Sequence, residues 1–308
     1  MKALALHLAL IGALLAVQVV LPPYHYTNVA RVMVLAVYAM GYNIAFGYTG
    51  LLSLGHALFF AAGMYATGLA VHSAPALLAL PLGMLAGAAM ALAVGLLALR
   101  TAGVAFMIVT LMFAQAGYLT ILYYGPVTGG DEGFVLAREA RMLAGLDLSA
   151  DGPRYLTALA IFGVALLANL ALVRSGFGRV MVAMRENEER SRMLGYDPFR
   201  TKLIALTLSG LYSGTAGAAY ALMFGYVGAS FAAIQYSILP LLWVLLGGAG
   251  TVLGPFFGAL LMFYLIDLSS SVTDASNLVV GVALLVLVLF APKGILGTIR
   301  ERGARWLP

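Results

Sequence analysis

The chain has 308 residues, of which 63% are hydrophobic and 9% charged, with a net charge of +5 and no cysteine. Its mean hydropathy is +1.00, whereas a soluble domain carries roughly 25% charged residues, so there is more apolar surface than a water-soluble interior of this size can hide. Disulfides, thiolate chemistry and Cys-ligated metals are excluded, and the basic residues fall into separate loops rather than an aromatic-flanked patch, which gives no nucleic-acid signal.

With lipid as solvent, every backbone polar group needs a partner inside the protein, which leaves helix bundles or closed barrels. Val32 to Leu99 and Leu203 to Ile266 are uncharged and lack the in/out alternation of barrel strands. An all-α, polytopic membrane helix bundle is therefore expected, as a single transmembrane domain over residues 1–308 with about ten spans.

Lys2 followed by ALALHLALIGALLAVQVV resembles a signal peptide. No convincing A-x-A site precedes Pro22-Pro23 and further spans follow at once, which favours an uncleaved first span. The second span is expected over about Val29 to Phe46, followed by GYTGLLSLGHALFF. There Gly47, Gly50 and Gly55 punctuate Ser53 and His56, and glycines permit a broken helix whose freed backbone lines a cavity. Asn43, Gly50, Ser53 and His56 are the candidate translocation-path or gate residues; tight packing with a satisfied His56 is the bland alternative. Further spans are expected over about Leu51–Val71, Ala76–Leu99 (with Pro81), Ala102–Tyr124 and Tyr155–Val173. Between the last two lies an external loop, residues 125–154, with a net charge of −2 and room for a short helix around Val135 to Leu143. Beyond Lys202 come about Leu203–Tyr226, Ala233–Leu246, Val252–Ile266 and Leu278–Phe290. The third-last of these is short and carries Pro240, which suggests a kinked or re-entrant segment. GGAGTVLGP, residues 247–255, is a second glycine-rich break that faintly echoes GYTGLLSLG.

Residues 174–202, RSGFGRVMVAMRENEERSRMLGYDPFRTK, carry eleven of the chain's 29 charged side chains. A charge at the bilayer centre costs roughly 2.5–3.5 kcal/mol on insertion scales, so this block is a water-exposed loop. Ten spans with both termini cytoplasmic place 13 Lys and Arg inside and four (Arg31, Arg138, Arg141, Arg154) outside, as the positive-inside rule requires. Within the block, RVMVAMRENEERSRML reads as a helix with Glu186–Arg190 and Glu188–Arg192 as i,i+4 pairs. Gly195 reads as its C′ residue and Asp197-Pro198 as N-cap and N1 of the next helix.

No G-x-x-x-x-G-K-[ST] loop, G-x-S-x-G elbow or H-E-x-x-H helix occurs. Ser53 and His56 at i and i+3 could be neighbours, but no third group or oxyanion device accompanies them, so no enzyme, cofactor or metal site is expected. An ion-driven carrier normally needs a carboxylate near the bilayer midplane, and none is offered, which shifts the energy source to another protein.

GYTGLLSLGHALFF, RENEERSRMLGYDPFRTKLIA and LLGGAGTVLGPFFGALL closely resemble signature stretches of the permease subunits of branched-chain amino-acid ABC importers, and the likeness extends over essentially the whole chain. The resemblance implies that the central block is the cytoplasmic coupling loop that docks on an ATPase. It assigns that contact to Arg185, Glu186, Asn187, Glu188, Glu189, Arg190, Leu194 and Gly195. It also implies a homologous second permease, two cytoplasmic ATP-binding subunits, an external substrate-binding protein and an inner-membrane location. Leucine, isoleucine or valine is the implied cargo; urea, short amides or a sugar are the alternatives within the superfamily, and an ion-coupled carrier is the alternative outside it.

Overall fold

The structure is a computed structural model that describes residues 2–20, 22–270, 278, 281–282, 285, 289, 291 and 293–302. It is a helical bundle: α1 (Lys2–Val20), α2 (Pro23–Asn43, extended by a π-helical turn, Ile44–Tyr48), α3 (His56–Ala70), α4 (Ala76–Ala98), α5 (Val104–Tyr123) and the single turn α6 (Gly125–Thr128) come first. They are followed by α7 (Asp151–Arg174), α8 (Gly176–Glu186), α9 (Glu188–Met193), α10 (Pro198–Phe224), α11 (Ile234–Gly247), α12 (Gly254–Ser270) and α13 (Gly294–Arg302). Four described helices are long and apolar enough to cross a membrane: Pro23–Tyr48, Ala76–Ala98, Val104–Tyr123 and Asp151–Arg174.

Element boundaries differ from expectation where local chemistry intervenes. Pro23 starts α2 early because its fixed φ and missing N–H suit the first helical turn. The third span loses its first residues because backbone 51–55 is not helical, so α3 has 15 residues. At 1.5 Å per residue that is about 22 Å, short of the roughly 30 Å hydrocarbon layer. α11, with Pro240 buried inside it, has 14 residues. The two shortest membrane-type helices thus both adjoin glycine-rich breaks. The span expected over Leu278–Phe290 lies outside the described residues, apart from isolated positions.

At the centre, α10 packs against α4, α3 and α2. The contact with α4 joins two G-x-x-x-G pairs, Gly83/Gly87 and Gly210/Gly214, and Gly63 of α3 meets Gly214 from the other side. A Cβ on Gly63 would run into the Gly214 carbonyl, and one on Gly214 would sit 2.8 Å from the Gly87 Cα. Lipid is as apolar as leucine, so close backbone packing rather than hydrophobicity drives this association.

At one end of the bundle the 125–154 loop folds back on α10. β1 (Phe134–Val135) pairs with β4 (Tyr226–Val227), and β2 (Met142–Leu143) pairs with β3 (Leu146–Asp147). The expected helix around Val135 to Leu143 is instead this strand, a 3-10 turn at Glu139–Arg141 and a hairpin. The hairpin wins because Ala144 and Gly145 take positive φ, the turn that joins two short strands. Arg141 donates to the carbonyls of Leu222 and Met223, capping α10. Asp147 accepts from the Ser149 hydroxyl (2.5 Å), the Ser149 N–H (2.8 Å) and Arg138 (2.7 Å). Those bonds, Ser149's hydroxyl first, hold its carboxyl down at about 2.

Two outcomes are expected. A depressed carboxylate stabilises above its unfolded pKa and less as pH falls through the folded one, so protease resistance of the 125–154 loop should persist above about pH 4 and decline toward pH 2. Gly214→Leu should lower stability by at least about 2 kcal/mol through overpacking against backbone, read as thermal melting in detergent. Gly12→Leu, at a position with nothing within 4 Å of a new Cβ, is the tolerated control; equal melting of the two variants would refute the glycine contact.

Candidate functional site

The chain leaves helical geometry after Tyr48 and resumes it at His56. Gly50 takes φ +77°, where a side chain would be strained and would also meet Arg185. Buried irregular backbone survives at membrane depth only if protein groups replace the lost helical partners. Here they do. The Gly50 and Leu51 N–H groups reach back to the Phe46 and Ala45 carbonyls at 3.0 and 2.8 Å. Leu54 N–H donates to Thr110 Oγ1 of α5 (3.1 Å), Gly55 N–H to Ser53 Oγ (3.2 Å) and Ala57 N–H to Ser237 Oγ of α11 (2.9 Å).

The second break, residues 248–253, lies directly against the first. Asn43 is fully buried and joins them: its Nδ2 donates to the Thr251 carbonyl and its Oδ1 accepts from Gly250 N–H, both at 2.9 Å. Thr251 closes its own turn by donating to the Gly248 carbonyl (2.7 Å). The two glycine-rich stretches that echo one another in sequence are therefore physical neighbours.

Of the four expected gate residues, Asn43 and Gly50 flank this junction, while Ser53 accepts from the N–H of Gly55, the residue before α3. His56 points elsewhere: its Nε2 is hydrogen-bonded to Ser209 of α10 at 2.7 Å, and its ring lies against Tyr42, centroids 4.6 Å apart. Ser53 serves Gly55 instead, so the pair has no nucleophile–base geometry. Sequence reasoning missed Thr110, Ser237 and Thr251. A hydroxyl in an apolar span was their only signal, and the partner backbone was not visible.

The charged block begins with Ser175, whose hydroxyl caps α8 by accepting from Gly178 N–H (3.1 Å). The expected continuous helix breaks at Asn187, which takes extended geometry, φ −158° and ψ 103°, and caps α9 by accepting from Arg190 N–H at 2.8 Å. An asparagine gains more as a cap than inside a helix. The break removes the i,i+4 geometry assumed for Glu186 and Arg190. Glu188 does meet Arg192 (3.8 Å) and also bonds Lys202 at 2.5 Å, tying α9 to α10. Gly195 at φ +89° ends α9 in a Schellman turn, its N–H on the Arg192 carbonyl and that of Tyr196 on Ser191. Asp197 then caps α10 by accepting from Arg200 N–H (3.2 Å).

This elbow shows two distinct faces. Outward, Glu186, Glu189 and Arg190 are exposed, together with Met193 (81%) and Leu194 (72%). Inward, Arg185 donates to the Gly47 carbonyl at the end of the π turn. Arg300 of α13 reaches the Gly250 carbonyl from the same end (3.2 Å). A cavity of about 700 Å³ lies between the elbow, the first break and the α4–α5 turn at Arg100. Arg185 thus ties α8 to the first break. Among the described residues, no group of three or more His, Asp or Glu could hold a metal ion.

Residues 26–291 match the family described as branched-chain amino acid transport system / permease component. The chain is 29% identical to the high-affinity branched-chain amino acid transport system permease protein LivM of Salmonella typhimurium, over 88% of this chain and 69% of the relative. A probable branched-chain amino acid transport permease protein LivM of Methanocaldococcus jannaschii is 26% identical over 41% of each chain. The autoinducer 2 import system permease protein LsrC of Klebsiella pneumoniae is 35% identical over 32% of this chain and 30% of its own. No solved structure matches.

Asn43→Ala leaves two buried backbone groups without partners, at about 1–3 kcal/mol each. Thermal melting of the purified chain should show a loss of about 2–4 kcal/mol; melting like the parent would mean that Asn43 does not hold the breaks together.

Proposed function

The chain belongs to the family of branched-chain amino acid transport permease components, and from that premise we propose that it is the membrane-spanning subunit of an ABC importer for leucine, isoleucine and valine. It sits in the inner membrane with about ten spans and both termini in the cytoplasm. It works with a homologous second permease, two cytoplasmic ATPases and an external binding protein. ATP hydrolysis belongs to the partners.

One observation carries this reading: a folded, capped elbow with an apolar tip in water, tied inward to a helix break. Exposed apolar side chains flanked by charge mark protein docking sites, and Met193 and Leu194 are such side chains on the one strongly charged loop. A push on α9 reaches α10 through Glu188–Lys202 and reaches the first break through Arg185 and Gly47. An ion-coupled carrier is disfavoured because no Asp or Glu among the described residues is buried. The local likeness to an autoinducer 2 import permease supports a second reading, in which the same machine carries a different small polar cargo. Competition uptake with labelled leucine in vesicles holding the complete complex separates the two.

Reversing the charges of exposed Glu189 and Arg190 together, Glu189→Arg with Arg190→Glu, tests the docking role. The variant should insert and assemble as before, while leucine uptake per ATP hydrolysed falls at least about tenfold, a change of about 1.4 kcal/mol in coupling. Unchanged coupling would remove this elbow from the ATPase contact.

A further inference from the structure

At the end of the bundle that carries the 125–154 loop, three guanidiniums converge on the last turn of α10. Arg141 is satisfied by the Leu222, Met223 and Leu148 carbonyls. Arg154 is satisfied by Asp151 (3.0 Å) and by the Ser149 and Leu148 carbonyls. Arg31, which α2 carries in from its third turn, is different. It is half-buried with its guanidinium 4.9 Å from the Phe224 ring centroid, and its Nε is buried with no acceptor. Among the described residues it has neither an ion pair nor a hydrogen bond.

Unpartnered buried donors cost about 1–3 kcal/mol, more on a charged group, and the deficit here is one of acceptors. A carboxylate supplies two acceptor oxygens that match a guanidinium fork. Beside the fork runs a half-buried aromatic wall: Phe224 to Tyr220 (4.6 Å), Tyr220 to Phe231 (5.0 Å) and Phe231 to Tyr236 (5.0 Å), leading inward to buried Phe60 and Tyr38. A cationic fork at the rim and an apolar aromatic wall leading inward fit a small molecule with a carboxylate at one end and a branched aliphatic group at the other.

We propose that Arg31 binds the carboxylate of the transported amino acid as it enters the permease, with the Phe224–Tyr236 wall receiving its side chain. This rests on the amino-acid importer reading above and adds the residue that meets the cargo. The same fork could take an acidic side chain of the docked binding protein, and the two sources respond differently to one experiment.

Labelled leucine uptake is measured in proteoliposomes holding the complete complex, with loaded binding protein titrated, for the parent, Arg31→Gln and Arg31→Lys. The Gln variant should lose at least tenfold in maximal rate, with the half-saturating concentration of binding protein unchanged. Lys keeps the charge over Phe224, and so the fold, but loses the fork; it should transport at one fifth of the parental rate or less. A parental rate in either variant overturns the proposal. So does a Gln variant that keeps its maximal rate but needs tenfold more binding protein, because the carboxylate would then be the partner's. A parent complex that takes up no leucine would instead overturn the cargo assignment, independently of Arg31.

Discussion

Buried backbone has to be hydrogen-bonded where no water reaches it, and this constraint shapes the bundle at the two helix breaks. Seven residues between Tyr48 and His56, and six between Gly247 and Gly254, leave helical geometry, most of them buried. Backbone groups at Leu54, Gly55, Gly250 and Thr251 find hydroxyls and the Asn43 carboxamide. The direct links between the breaks are the two neutral hydrogen bonds of Asn43, each worth about 1 kcal/mol net.

α10 is locked into the centre by glycine contacts with α3 and α4, and its first turns join the charged elbow through the Asp197 cap and the Glu188–Lys202 pair. Two guanidiniums, Arg185 and Arg300, connect the same end of the bundle to carbonyls on the two separate breaks. Carbonyl ends of broken helices carry partial negative charge, and a cation there is favourable. The elbow thus has a polar link to the first break through Arg185 and a link to α10 through Glu188–Lys202, while the second break is bonded by α13 through Arg300.

Much of this was legible in the sequence, because hydropathy, glycine clusters and charge blocks are local signals. The α10 start, from Asp197 cap through Pro198, is written in adjacent residues, as is the αL stop at Gly195. The failures are equally physical. The break at Asn187 was missed because an i,i+4 charge pattern looks helical whether or not a capping asparagine interrupts it. The hairpin at Met142 to Asp147 was missed because Ala144 gives no turn signal at positive φ. Asn43 was visible as a polar residue in a span, but its partners lie more than 200 positions away at Gly250 and Thr251. Arg31 could be counted as an external charge; its lack of an acceptor is purely a matter of three dimensions.

The central proposal is that this permease component draws its energy from partner ATPases rather than from an ion gradient. Leucine uptake by the reconstituted complete complex, with and without ATP inside the vesicles and with and without an imposed proton or sodium gradient, tests it most directly. Uptake should require internal ATP together with the binding protein and should be indifferent to either gradient. Gradient-driven accumulation without ATP would contradict the account, because it would place the energy source in the bundle itself.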